Sequence, residues 1–135
     1  MKRLLIVLLL FPTALWAQSK GDNTLEVSST ATFQEVGRQL ILDGYELGES
    51  NAEFGTLTTA WRDIKFIKYR LVLAVLEDKV VIQSKWMNES ANGVLNTQGS
   101  ENQVSFKKGG VEGDIWERME VFASHFGTEI RYLKK

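Results

Sequence analysis

Between Thr56 and Met87 three strand-like stretches follow one another with no helical stretch between them: Thr56–Asp63, Lys68–Leu76 and Val80–Met87, rich in Thr, Val, Leu, Ile and Trp. Strands joined by links this short can pair only as antiparallel hairpins, because a parallel crossover needs a dozen or more residues. The alternation also sets the faces. A first hairpin centred on Lys65 puts Trp61 opposite Tyr69, Thr59 opposite Leu71 and Leu57 opposite Leu73. A second, turning at Asp78-Lys79, puts Val75 opposite Ile82, Leu73 opposite Ser84 and Leu71 opposite Trp86. One face then collects Leu57, Trp61, Tyr69, Leu71, Leu73, Val75, Val80, Ile82 and Trp86. The other collects Thr56, Thr58, Arg62, Lys68, Arg70, Val72, Ala74, Gln83, Lys85 and Met87. A slip by one residue mixes the two sets, so hydrophobic patterning selects this arrangement.

The rest of the chain supplies a cover for the apolar face. Thr24–Ser28 alternates as a strand with Leu25 and Val27 on one side. Thr32 and Glu35 fit a capping box that opens a helix over 33–43, with Phe33, Val36, Leu40 and Ile41 as its stripe and Gly44 as its terminator. Gly37 is a weak point of that helix or a close-packing contact. Tyr45 and Leu47 form a short strand, and Gly48–Gly55 reads as turn. A second helix over Asp114–Phe126 carries Ile115, Met119, Phe122 and Phe126 at spacings of four, three and four, with Asp114 as N-cap and Gly127 as terminator. Thr128–Leu133 reads as a last strand. The expected fold is α+β: a single antiparallel meander sheet packed against two helices in the order β-α-β-β-β-(β)-α. The stretch 88–110 is polar and holds Gly93, Gly99, Gly109 and Gly110; it is a long loop, or an extra hairpin from Gly93–Thr97 and Gln103–Lys107.

Residues 1–17 read as a cleaved signal peptide. Lys2 and Arg3 precede the apolar run Leu4–Phe11, and Ala14-Leu15-Trp16-Ala17 matches the small-x-small pattern of signal peptidase. The apolar run is too short for a helix of about 20 residues that spans a membrane. The expectation is therefore an exported protein, periplasmic or secreted, with a flexible leader over 18–23 and one domain over 24–135. Losing Lys2 and Arg3 leaves fourteen basic against seventeen acidic side chains, a net charge of −3. That balance argues against a nucleic-acid partner held by overall positive charge. With no cysteine the chain has no disulfide, no thiolate metal site and no site for lipid attachment at the cleavage point.

Chemistry-bearing candidates are few. His125 is the single histidine; it sits at the edge of the second helix's apolar stripe, where a boundary residue is expected rather than a base. No nucleophile elbow, G-x-G-x-x-G or P-loop occurs, and the pairs Glu49/Glu53 and Glu117/Glu120 fall in turn or exposed-helix contexts. No catalytic residue, cofactor or metal site is expected. Trp61 and Trp86 are assigned to the core, and Trp116 to a half-exposed position at the helix start. The open sheet face gathers Arg62, Lys68, Arg70 and Lys85 at one end, with Val72, Ala74 and Val81 as an apolar strip beyond. Together with Trp116 these make the candidate interface: Arg62, Lys68, Arg70, Val72, Lys85 and Trp116.

The layout and three pieces of local text carry a resemblance. Gly55-Thr56-Leu57-Thr58-Thr59-Ala60-Trp61, then Tyr69-Arg70-Leu71-Val72-Leu73, then Trp116-Glu117-Arg118-Met119 resembles the repeated domain in the C-subunit lipoprotein of the outer-membrane β-barrel assembly machinery, among small helix-grip or TBP-like modules. The resemblance covers about residues 24–127 as one domain copy and rests chiefly on a Thr-x-Trp on a strand. The lipoprotein cysteine is absent, so membrane tethering does not carry over. It implies a noncatalytic accessory or binding role with an envelope protein as partner. Two other readings stand beside it: a small lipid or glycan ligand held between sheet and helices near Trp61, Trp86 and Trp116, and an enzyme using His125 with a carboxylate.

Overall fold

The computed structural model describes residues 21–88, 101–107 and 109–135. The expected Gly93–Thr97 half of a hairpin and the signal segment 1–17 lie outside the described residues. The elements are β1 (Thr24–Ser28), α1 (Phe33–Leu42), β2 (Leu47–Asn51), β3 (Thr56–Thr59), β4 (Arg62–Ile64), β5 (Ile67–Val75), β6 (Lys79–Asn88), β7 (Asn102–Gln103), α2 (Gly110–Ser124) and β8 (Ile130–Leu133). The fold is α+β, with one antiparallel sheet ordered β2-β3-β5-β6-β1-β8, β4 pairing with β5 and β7 with β6. The sheet does not close into a barrel. The meander runs from β2 to β6; β1 then lies along β6, and β8 along β1.

The core joins one sheet face to both helices. Leu25, Val27, Tyr69, Leu71, Val80 and Ile82 from the strands, Val36 and Leu40 from α1, and Ile115 and Met119 from α2 are all fully buried in one cluster. At about 25 cal/mol per Å2 of apolar area removed from water, side chains of this size contribute roughly 1.5–3 kcal/mol each. The capping box of α1 is present: the Glu35 amide donates to Thr32 Oγ1 at 3.2 Å and the Thr32 amide to Glu35 Oε2 at 2.8 Å. Gly44, at φ 87°, ends the helix, and the Tyr45 amide turns back to the Leu40 carbonyl at 2.9 Å.

Several expectations are corrected. Gly48–Asn51 belongs to strand β2 rather than to a turn. In α1 the buried stripe is Val36, Gly37 and Leu40, while Ile41 is 58% exposed. The start of α2 lies at Gly110, not Asp114, because Val111 joins the core and Glu112 reaches the Trp86 indole. The β5–β6 hairpin turns at Glu77-Asp78, with the Leu76 amide on the Lys79 carbonyl, so Val75 faces Val80, Leu73 faces Ile82 and Tyr69 faces Trp86. This register is two residues from the expected one. A two-residue shift preserves the faces, which is why alternation alone does not detect it.

The largest correction concerns the first hairpin. Leu57 faces Leu73 as expected, but Arg62, not Trp61, faces Tyr69. One extra residue is accommodated at Ala60-Trp61. There the Leu71 amide donates to the Thr59 hydroxyl at 2.9 Å, and the Ala60 amide turns to the Glu46 carbonyl at 2.8 Å. Beyond this bulge every side chain changes face. Ile64 enters the core and Arg62 joins the helix side, while the Trp61 ring stacks on Arg70 of the open face.

Candidate functional site

The bulge builds a cleft that the regular register does not contain. It opens at one end of the helix-covered face, between the end of α1, β4 and α2, with a volume near 750 Å3 and with Asp43, Tyr45, Arg62, Asp63, Lys65, Asp114, Glu117, Arg118 and Val121 around it. At its floor the hydroxyls of Tyr45 and Tyr69 lie 3.0 Å apart, with the rings edge-on at 88°. Arg118 Nη1 donates to the Tyr69 hydroxyl at 3.0 Å. The Arg62 guanidinium lies 4.8 Å from the Tyr45 ring centre, and its Nη1 donates to the Asp43 carbonyl at 3.3 Å. That carbonyl belongs to the C-cap of α1, where a cation complements the helix dipole. Gly44, whose φ of 87° suits glycine, packs beside the same guanidinium.

The electrostatics follow from burial. Burial raises the pKa of the Tyr45 phenol well above its ordinary value of 10, and the hydrogen bond to Tyr69 adds to the rise; Arg62 and Arg118 pull only partly the other way. Tyr45 therefore stays neutral at physiological pH, and the two rings act as posts for the two guanidiniums. Three of the acidic groups around the cleft are engaged: Asp43 with His125 Nε2 at 3.2 Å, Asp63 with Lys68 at 2.8 Å, and Asp114 with Lys65.

A second feature lies on the other side of α1. An apolar groove of about 360 Å3 runs between α1 and the β2 edge, lined by Phe33, Gly37, Ile41, Leu42, Leu47 and Leu57 among others. Leu42 is 71% and Leu47 43% exposed. Gly37 leaves a notch in the helix wall opposite Leu47.

The candidate interface read from the sequence does not assemble as one patch. Arg62 leaves for the cleft. Trp116 is 1% exposed, buried between Phe106 and Tyr132, with no partner for its Nε1 among the described residues, and is not at the surface. Lys68 pairs with Asp63, and Lys68 and Met87 face each other across the ladder. Arg70 makes both its contacts to Glu101 through Nη2, at 2.9 and 3.0 Å, and Lys85 reaches the same carboxylate at 3.4 Å. Val72 faces Gln83 rather than Lys85. The expected cationic corner is thus an ion-pair network in which two carboxylates engage three cations. The three tryptophans proposed to surround a ligand are also separated: Trp61 is on the open face, Trp116 is inside, and Trp86 is tied to Glu112 at 2.9 Å. His125 caps α2 and holds Asp43, joining the ends of the two helices. The signal for the cleft that the alternation reading passed over is Ile64, an apolar residue at an even position after inward residues at odd ones.

Compared with known proteins, the chain matches no family model and no curated protein. Among the described residues no helix is long and apolar enough to cross a membrane, and no group of three or more His, Asp or Glu side chains is placed to hold a metal ion.

Proposed function

We propose that this chain is a noncatalytic, exported binding module of the cell envelope, and that it takes an apolar segment of a protein partner in the groove between α1 and β2. One observation carries the reading: Ile41, Leu42 and Leu47, at 58%, 71% and 43% exposure, border a single groove beside an edge strand. Large aliphatic side chains gathered in this way mark interaction surfaces. The leader over 1–17 and the resemblance to the assembly-machinery domain support the compartment and the accessory role. The ion-paired corner around Arg70 offers a partner less, because Arg70 and Lys85 are already engaged by the Glu101 carboxylate.

Site-specific photocrosslinking tests this in the exporting cell. A photoreactive residue at Leu42 should give a discrete adduct with another envelope protein, and one at Val72 on the open face should not. Ile41→Asp should abolish the Leu42 adduct while the purified domain keeps its melting temperature. Adducts from Val72 alone would move the interface to the open face. Adducts only between copies of this chain would make the groove a homotypic contact.

A further inference from the structure

The cleft at Tyr45 carries an inference independent of the partner groove. Arg62 and Arg118 are both held in place by aromatic rings, 4.8 Å from the centre of Tyr45 and 5.6 Å from that of Tyr69. Each spends one amino group on a neutral acceptor, the Asp43 carbonyl or the Tyr69 hydroxyl. Among the described residues neither meets a carboxylate within ion-pair distance, although four carboxylates border the same cleft and three of them are paired elsewhere. Two immobilised guanidinium forks with donors to spare form a preorganised oxyanion receptor, since the ordering cost of the side chains is already met by the fold.

We propose that this cleft binds an organic monocarboxylate, with the carboxylate across Arg62 and Arg118 and a short aliphatic chain against Ile64 and Val121. The charge around the site selects the class. Asp43, Asp63, Asp114 and Glu117 outnumber Arg62, Lys65 and Arg118 around the cleft, so repulsion grows with the charge of the ligand and disfavours a phosphate dianion more than a singly charged oxyanion. Ile64 is buried and Val121 is 61% exposed, which gives the chain of the ligand an apolar wall. Tyr45 and Tyr69 are positioning residues that act through the arginines.

The test is a titration of the full chain followed by the side-chain N–H signals of its arginines in 15N NMR, with sodium hexanoate, inorganic phosphate and hexylamine as separate probes. Hexanoate should shift the Arg62 and Arg118 signals saturably and leave Arg131 unmoved. Arg118→Gln, a change at an exposed helix position, should weaken binding about tenfold or more at unchanged melting temperature, and Arg62→Gln should do the same. Lys85→Gln, on the other face, should leave it unaltered. Absence of saturation with hexanoate overturns the proposal, as does equal or tighter binding of phosphate or of the amine. Unchanged affinity in Arg118→Gln overturns it even if Arg62→Gln does not fold.

Discussion

The two faces of the same sheet are held together by different forces. Under the helices, Tyr69, Leu71, Val80 and Ile82 are wholly buried among apolar neighbours. On the opposite face, neighbours in the same strands meet as charges: Lys68 with Asp63, Arg70 and Lys85 with Glu101, Lys79 and Lys135 with Glu26. The first kind of contact grows with buried area and is blind to partner identity. The second depends on geometry and is weakened by water and salt. The covered face should therefore set stability, and the open face should tolerate change.

Five substitutions and a pH series put numbers on that contrast. The largest loss belongs to Trp116→Ala, which empties the biggest fully buried site; about 3–5 kcal/mol should disappear from denaturant unfolding. Glu26 is the exception on the open side, because it is buried. Burial works to raise the pKa of its carboxyl, but the hydrogen bonds and charges of Lys135 and Lys79 outweigh that and leave it below the ordinary 4.5. Its stabilisation is thus complete above the unfolded-state value and is lost as pH falls through the lower folded one. Glu26→Gln should cost about 1–2 kcal/mol at neutral pH and flatten the acid limb of the stability profile.

Tyr45→Phe should cost about 1 kcal/mol at neutral pH through its lost hydroxyl contact. Its alkaline behaviour is the mirror image of that of Glu26. A phenol whose pKa is raised on folding stabilises fully below its unfolded value, and loses that contribution as pH climbs past 10. The variant should therefore lose less stability than the parent between neutral and strongly alkaline pH. Arg70→Ala, which removes a partly exposed ion pair, should cost about 1 kcal/mol or less and even less in high salt. Val81→Thr, a half-exposed change on the same side, should fall within about 0.5 kcal/mol of the parent. A cost comparable to that of Trp116→Ala at either open-face position would erase the distinction between the faces.

The faces themselves were legible because period-two patterning over 67–82 is strong and a shift by two residues does not disturb it. The capped start of α1 was legible because Thr32 and Glu35 form a local chemical pair. What alternation did not disclose was tertiary in origin. The bulge at Ala60-Trp61 is betrayed only by the parity of Ile64, and the early start of α2 depends on Val111 and Glu112 finding partners distant in the chain. The candidate interface failed for the same reason. Arg62 was assigned by counting through the bulge, and Trp116 was judged by its place at a helix start that lies four residues earlier. The glutamate that engages both Arg70 and Lys85, Glu101, comes from outside the strands whose pattern was being read.

The added residue at Ala60 gives this domain an unusual relation to length change. In most strands a deletion throws the whole downstream pattern out of phase, and selection removes it. Here the phase is already interrupted, and the next hairpin turn follows at Lys65-Phe66. Loss of the extra residue would leave Leu57 opposite Leu73 and Arg62 opposite Tyr69 with a regular ladder between them, while β5, β6 and β1 keep their pairing. A length change at this one position is thus absorbed where it arises, set apart from the part of the molecule that keeps it folded.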